Sequence, residues 1–141
     1  MTTTETPART QAILFRVLAD HLSFFPDLPQ TNLTGPYEAH DGAVRLQVSG
    51  NTYGAAPVLA WAKTLAEPTI RIRPQSQEPD DRRIQVKATG DIDELTVTVW
   101  SVDDGALRPL YQRVDERGNA WTILTLDQLA EFVREPQAVT A

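Results

Sequence analysis

Apolar residues recur at helical spacing in three segments of the chain. Near the N-terminus one helix face is indicated by residues four, four and three positions apart, namely Leu14, Leu18, Leu22 and Phe25. Pro7 is typical of a first helical position, and Pro26 ends the segment. A second helix is predicted from Ala55 to Ala66, closed by Pro68, and a third begins at Thr125, where Thr125 and Gln128 have the spacing of a capping box.

Between these helices, apolar and polar residues alternate with the period of a half-buried strand. The alternation predicts strands at 44–48, 69–73, 84–89 and 95–101, and a short edge strand within 31–37. Asp91 to Glu94 separates two of these strands, so we expect a hairpin with a loop of about four or five residues. A further hairpin is predicted between Leu110–Val114 and Trp121–Leu124.

This order of elements predicts an α+β fold, with a mainly antiparallel sheet of about five strands and three helices (N-terminal, central and C-terminal) packed on it. A chain of 141 residues has the length of one domain. We expect a single α+β domain over residues 7–135, with a disordered N-terminal tail at 1–6 and a C-terminal tail at 136–141.

Composition narrows the function classes. The chain has a net charge of −6, which disfavours a general phosphate-binding surface and makes nucleic acid a poor partner. It contains no cysteine, which excludes disulfides, thiolate metal sites and cysteine nucleophiles. Its two histidines are few for a zinc site. We therefore expect neither a metal nor a cofactor.

The expected compartment is the cytoplasm. No apolar run approaches the length of a membrane span, and the first residues lack the basic and apolar segments of a signal peptide. Arginine supplies 11 of the 13 basic residues, which is most easily explained by the codon usage of a GC-rich genome. These features favour a bacterial or phage protein without a membrane segment.

The aromatic residues give the best indication of a function. Trp100 alternates away from Val97 and Val99, so it points to the opposite face of its strand. Trp121 and Tyr111 are candidates for the same face. Exposed tryptophan is enriched at protein interfaces, whereas the structural alternative is that all three rings fill the edge of the core. The first hypothesis is a non-catalytic domain that acts by protein–protein contact or self-association.

Two other hypotheses come from charged residues. His40 and Asp41, together with the acidic loops, would be the groups of a metal-dependent or acid–base enzyme, although Asp in turns is usually structural. Four arginines form the densest basic group and would bind an anion or nucleic acid weakly: Arg71, Arg73, Arg82 and Arg83. Glu78, Asp80 and Asp81 lie among these arginines and oppose that binding.

Overall fold

Six strands form one sheet, and three helices pack on it, within the residues that the structure describes. The computed structural model describes residues 7–34, 44–48, 54–112 and 121–134. In chain order the elements are α1 (Pro7–Phe24), β1 (Thr31–Thr34), β2 (Val44–Val48), α2 (Ala55–Ala62), β3 (Ala66–Pro74), β4 (Ile84–Ile92), β5 (Leu95–Asp103), a 3₁₀ turn (Arg108–Leu110), β6 (Thr122–Leu124) and α3 (Leu126–Arg134). The α+β class is confirmed.

The sheet has the strand order β1-β2-β5-β4-β3-β6. Two details of the expectation need correction. The sheet has six strands where about five were expected, and it is mixed, because β2 runs parallel to β5. The other four pairs of neighbours are antiparallel. A parallel pair needs a crossover connection, and the path from β2 to β5 supplies one that includes α2.

The two faces of the sheet differ in burial. On β4 every second residue is buried, and on β5 the residues of the same face from Val97 onward are buried, so this face forms the core. Thr98 of β5 is buried as well, although it lies on the opposite face. The central residues of the core are Ile70, Ile72, Val86, Ala88, Val97 and Val99, all fully buried. Helix α2 packs against β4 and β5 on this inner face, and Val58, Trp61 and Ala62 of α2 are fully buried as well. The other face, called the outer face below, carries the intervening polar and aromatic side chains.

Gly90 allows the chain after α2 to approach the sheet closely. A Cβ atom at Gly90 would lie 2.7 Å from the Leu65 Cβ and 2.9 Å from the Ala66 carbonyl oxygen. The helix ends at Ala62, earlier than expected, and Pro68 lies within β3, where the pairing with β4 shifts register between Ala66 and Thr69. Pro68 therefore belongs to an irregular stretch of an internal strand, a position where a missing N–H is tolerated.

Helix α1 is attached through a histidine as well as through leucine. Leu14 is buried, but Leu22, expected on the buried face, is 42% exposed, and His21 is only 8% exposed. The His21 ring stacks on Trp61 with centroids 5.8 Å apart, and its Nε2 lies 2.8 Å from the Thr64 hydroxyl oxygen. Because that hydroxyl donates to the Trp61 carbonyl, His21 Nε2–H is the donor to Thr64. The His21 ring, with its Nε2–H hydrogen-bonded, thus makes the buried contact that was expected of Leu22.

The C-terminal part departs most from the expectation. Residues 108–110 form a 3₁₀ turn, and β6 pairs with β3. Of the partner segment expected for β6, Gln112 contacts it, because its N–H donates to the Thr122 hydroxyl and its carbonyl oxygen accepts from that hydroxyl. Residues 113–120 lie outside the described part of the chain. The β4–β5 hairpin is tighter than expected, since Ile92 pairs with Leu95 and only Asp93 and Glu94 lie between them. Asp93 has φ = 54°, which aspartate tolerates better than most residues.

The capping box at the start of α3 is formed. The Thr125 hydroxyl accepts a hydrogen bond from the Gln128 N–H, and the Gln128 side chain accepts one from the Thr125 N–H. The expected tails at 1–6 and 136–141 lie outside the described residues. In the described part, none of the helices has both the length and the apolar character needed to cross a membrane.

Gly90→Ala is expected to destabilise the fold by about 1–3 kcal/mol, because the new methyl group would meet a Cβ and a backbone oxygen that cannot move independently. The measurement is the urea unfolding free energy. Lys63→Ala, which changes an exposed residue just after α2, serves as the control and should cost less. A Gly90→Ala protein as stable as the wild type would contradict the close approach.

His21 should make stability depend on pH. Burial lowers the pKa of His21, and the charge of Asp93 opposes this in part. The unfolded chain therefore binds a proton at higher pH than the folded protein. The stability contributed by neutral His21 is fully present above the unfolded pKa of about 6.5 and is lost as the pH falls towards the folded pKa. The free energy of unfolding then decreases by up to about 1.4 kcal/mol per pH unit. Unfolding curves between about pH 7.5 and about pH 5.5 should show a steeper loss for the wild type than for His21→Gln. Equal slopes would exclude this role.

Candidate functional site

The outer face concentrates positive charge on an acidic protein. The strand register places four basic residues there, namely Arg45 on β2, Arg71 and Arg73 on β3, and Lys87 on β4. The carboxylate of Asp91 lies at the far end of β4, where it accepts a hydrogen bond from Thr96. Within the described ranges, the helices contact the sheet through its buried face. The outer face is therefore a basic surface on a chain of net charge −6.

Trp121 is the centre of a compact cluster on this face. Ile72 pairs with Thr122, so the residue before Thr122 lies beside Arg73 and shares its face. The Arg73 guanidinium lies 4.3 Å from the centroid of the Trp121 ring, and the Lys87 ammonium lies 4.2 Å from it. Both distances are typical of cation–π contacts. Strands β3 and β4 thus supply one residue each, and Trp121 immediately precedes β6.

Trp100 lies on the same face. It pairs directly with Lys87 across β4 and β5, and with Gln47 across β2 and β5. Lys87 therefore stands between Trp100 and the ring of Trp121. Next to this row, Ile123 is 65% exposed, so the surface is apolar as well as basic. Trp100 and Trp121 share the outer face, with β4 and β3 between them, whereas Tyr111 packs against the core cluster of the inner face.

The four arginines of the anion hypothesis are not one group. Arg71 and Arg73 lie on the outer face, but Arg83 forms a bidentate ion pair with Asp81, with both N···O distances 2.9 Å. Hydrogen bonds from Arg83 hold the pKa of Asp81 well below its ordinary value. The Arg82 carbonyl accepts a hydrogen bond from Arg108, which ties this loop to the 3₁₀ turn. The basic residues that accompany Arg71 and Arg73 on the outer face are Lys87 and Arg45, where Arg82 and Arg83 were expected.

The acidic loops lie at opposite ends of the sheet. Asp93 and Glu94 form the β4–β5 turn, whereas Asp103 ends β5, roughly 26 Å away along an extended strand of this length. The Asp103 carboxylate accepts hydrogen bonds from the Gly105 and Leu107 N–H groups, both at 2.9 Å, so it shapes a turn. Among the described residues, no cluster of three or more acidic or histidine side chains is arranged to hold a metal ion. His40 and Asp41 lie outside the described residues.

A cavity of about 340 Å³ lies between the start of α2, the end of β5 and α3. Its lining includes Gly54, Asp103 and Phe132. Because the Asp103 carboxylate is already bonded to two backbone N–H groups, we assign no chemistry to this cavity.

Comparisons with known proteins match no family model, no curated protein and no solved structure. Any function must therefore be argued from the chemistry of the outer face.

Arg45, Lys87 and Ile123 are the members of this surface that sequence reasoning missed. Lys87 stands in an alternating strand, out of phase with Val86 and Ala88, which already indicated its face. Its proximity to Trp121 was not predictable, because the expected partner of the segment at 121–124 was 110–114 and not β3. The information that the sequence lacked is that β6 pairs with β3.

Tryptophan quenching should detect the positive field of the outer face. Trp61 is fully buried, whereas Trp100 and Trp121 are partly exposed beside cations. Iodide should quench the emission more strongly than caesium ion, because the local potential attracts anions. In the double variant Trp100→Phe/Trp121→Phe the remaining emission comes from Trp61 and should respond little to either ion. Stronger quenching of the wild type by caesium would contradict a basic face.

Proposed function

We propose that this protein is a non-catalytic interaction module that binds an acidic protein partner through the outer face of its sheet. The observation that carries the proposal is the convergence of Arg73 and Lys87 on Trp121, beside Trp100 and Arg71, on a face that the described helices leave uncovered.

Charge complementarity supports an acidic partner. Basic side chains occupy four positions of the outer face, while the rest of the chain more than balances them. A separated basic region attracts acidic surfaces, raises the rate of encounter and repels other basic proteins. A partner with its own carboxylates at matching positions would gain both affinity and register.

The chemistry of the face favours a protein over a nucleic acid. Trp and Arg are the residues most enriched at the energetic centres of protein interfaces, and exposed Ile123 adds apolar area beside them. Binding of a single-stranded nucleic acid relies on open aromatic rings on which bases stack. The Trp121 ring is already covered by cations at 4.2 and 4.3 Å.

Self-association through this face is disfavoured. A twofold dimer places the same patch of each copy against the other. The cations of one outer face would then approach those of its partner, with an electrostatic penalty that an acidic partner avoids. We therefore propose a different protein as the partner.

A defined peptide tests the proposal. A labelled peptide of alternating glutamate and leucine should bind saturably, and its affinity should fall as salt rises from about 50 to about 200 mM, because exposed charges are screened. A lysine–leucine peptide of the same length should not bind. Fluorescence anisotropy measures both. Failure of the acidic peptide to bind, or tighter binding of oligothymidylate, would overturn the proposal.

Two charge reversals localise the binding. Arg71→Glu reverses a charge at the centre of the outer face and should lower the affinity for the acidic peptide by about tenfold or more. Arg82→Glu makes the same change of net charge on an exposed loop residue away from the face and should have a much smaller effect. Equal losses would mean that net charge alone attracts the peptide, which contradicts a defined surface.

A further inference from the structure

Arg73 and Lys87 are held close together although both are positively charged. They lie on neighbouring strands, in diagonal register, because Arg71 pairs with Lys87 and Arg73 pairs with Gln85. Both cationic groups lie within 4.3 Å of the centroid of one indole ring. The negative π-face of the ring offsets part of their mutual repulsion. The cluster thus concentrates two positive charges around Trp121.

The Arg73 guanidinium is oriented by a second contact. Its Nε donates a hydrogen bond to the Gln85 side-chain oxygen at 3.2 Å, while the ring of Trp121 lies beside its central carbon. Within the described residues, the terminal amino groups of Arg73 make no hydrogen bond. These two groups form the fork that binds a carboxylate through two parallel hydrogen bonds.

We propose, on the basis of the function given above, that Arg73, Lys87 and Trp121 form a carboxylate-binding site, and that the partner inserts an aspartate or glutamate side chain there. Arg73 binds the carboxylate through its fork, and Lys87 adds the second charge. Trp121 fixes both cations before binding, so little side-chain freedom is lost when the carboxylate arrives.

The neighbours of the site restrict what surrounds that carboxylate. Trp100 lies beside Lys87 in the register, and exposed Ile123 lies opposite Arg71 on β6. Both provide apolar surface at the sides of the cations. The recognised element is therefore an acidic residue flanked by apolar ones, and a run of acidic residues alone would leave these contacts unused.

The indole N–H signals provide a direct test. The chain contains three tryptophans, and the Trp61 Nε1–H is engaged with the Pro29 carbonyl in the interior. Addition of N-acetylglutamate amide should shift the Trp121 indole signal in a ¹H–¹⁵N spectrum and leave that of Trp61 unchanged. N-acetylglutamine amide, which has the same shape without the charge, should shift neither. Equal shifts by both compounds would overturn the carboxylate site.

Variants separate this inference from the proposed function. Arg73→Gln should lower the affinity for the glutamate–leucine peptide by about tenfold. Arg73→Lys should lower it less, because lysine keeps the positive charge although it lacks the fork. Arg82→Gln removes a cation from an exposed loop residue away from the outer face and should change the affinity by less than about twofold.

The other possible outcomes show whether the carboxylate site, or the proposed function as well, is wrong. If the peptide binds Arg73→Gln and Lys87→Gln as tightly as the wild type, the carboxylate site is wrong although the outer face is still the binding surface. If the peptide does not bind and the indole signal does not move, both proposals fail. If inorganic phosphate or oligothymidylate shifts the Trp121 signal more than the carboxylate does, the cations recognise phosphate, and the carboxylate site is again wrong. Thermal unfolding confirms that each variant remains folded.

Discussion

The alternation of side chains along the β4–β5 hairpin is the constraint on which the rest of the structure depends. Val86, Ala88, Val97 and Val99 point to one face of the sheet and are fully buried. Helix α2 covers them, and α1 and α3 pack beside it. Since the same strands must present their other side chains outward, Lys87 and Trp100 are placed on the outer face by the same geometry that builds the core. The core and the proposed binding surface are therefore two sides of one hairpin.

Elements defined by local chemistry were predictable from the sequence. Strands β2, β4 and β5 follow from strict alternation, and α3 follows from its capping box, because each depends on residues close together in the chain. Trp100 could be assigned to the polar side of β5 by parity alone. The exclusion of thiolate chemistry likewise needs only the composition.

Relations between distant segments were not predictable. A strand pattern at 122–124 indicates a strand but not its partner, and β6 pairs with β3 across about fifty residues of chain. The Trp121 cluster depends wholly on that pairing. Similarly, periodicity predicted that Leu22 is buried, whereas His21 is the buried residue, because it stacks on Trp61 of α2 and contacts Thr64 in the turn after α2. Hydrophobicity along one helix does not contain that information.

The parallel pairing of β2 with β5 has a consequence for how the fold opens. In the described part of the chain, β1 pairs with β2, and β2 joins the remaining sheet through β5 alone. This ladder connects residues far apart in sequence, such as Val44 and Val97, whereas β4 and β5 are joined by a two-residue turn. Long-range pairing forms late in folding and has the larger loop-closure cost. The β1–β2 ribbon should therefore open as one cooperative unit. Its amide protons should exchange with solvent before those of the β4–β5 hairpin.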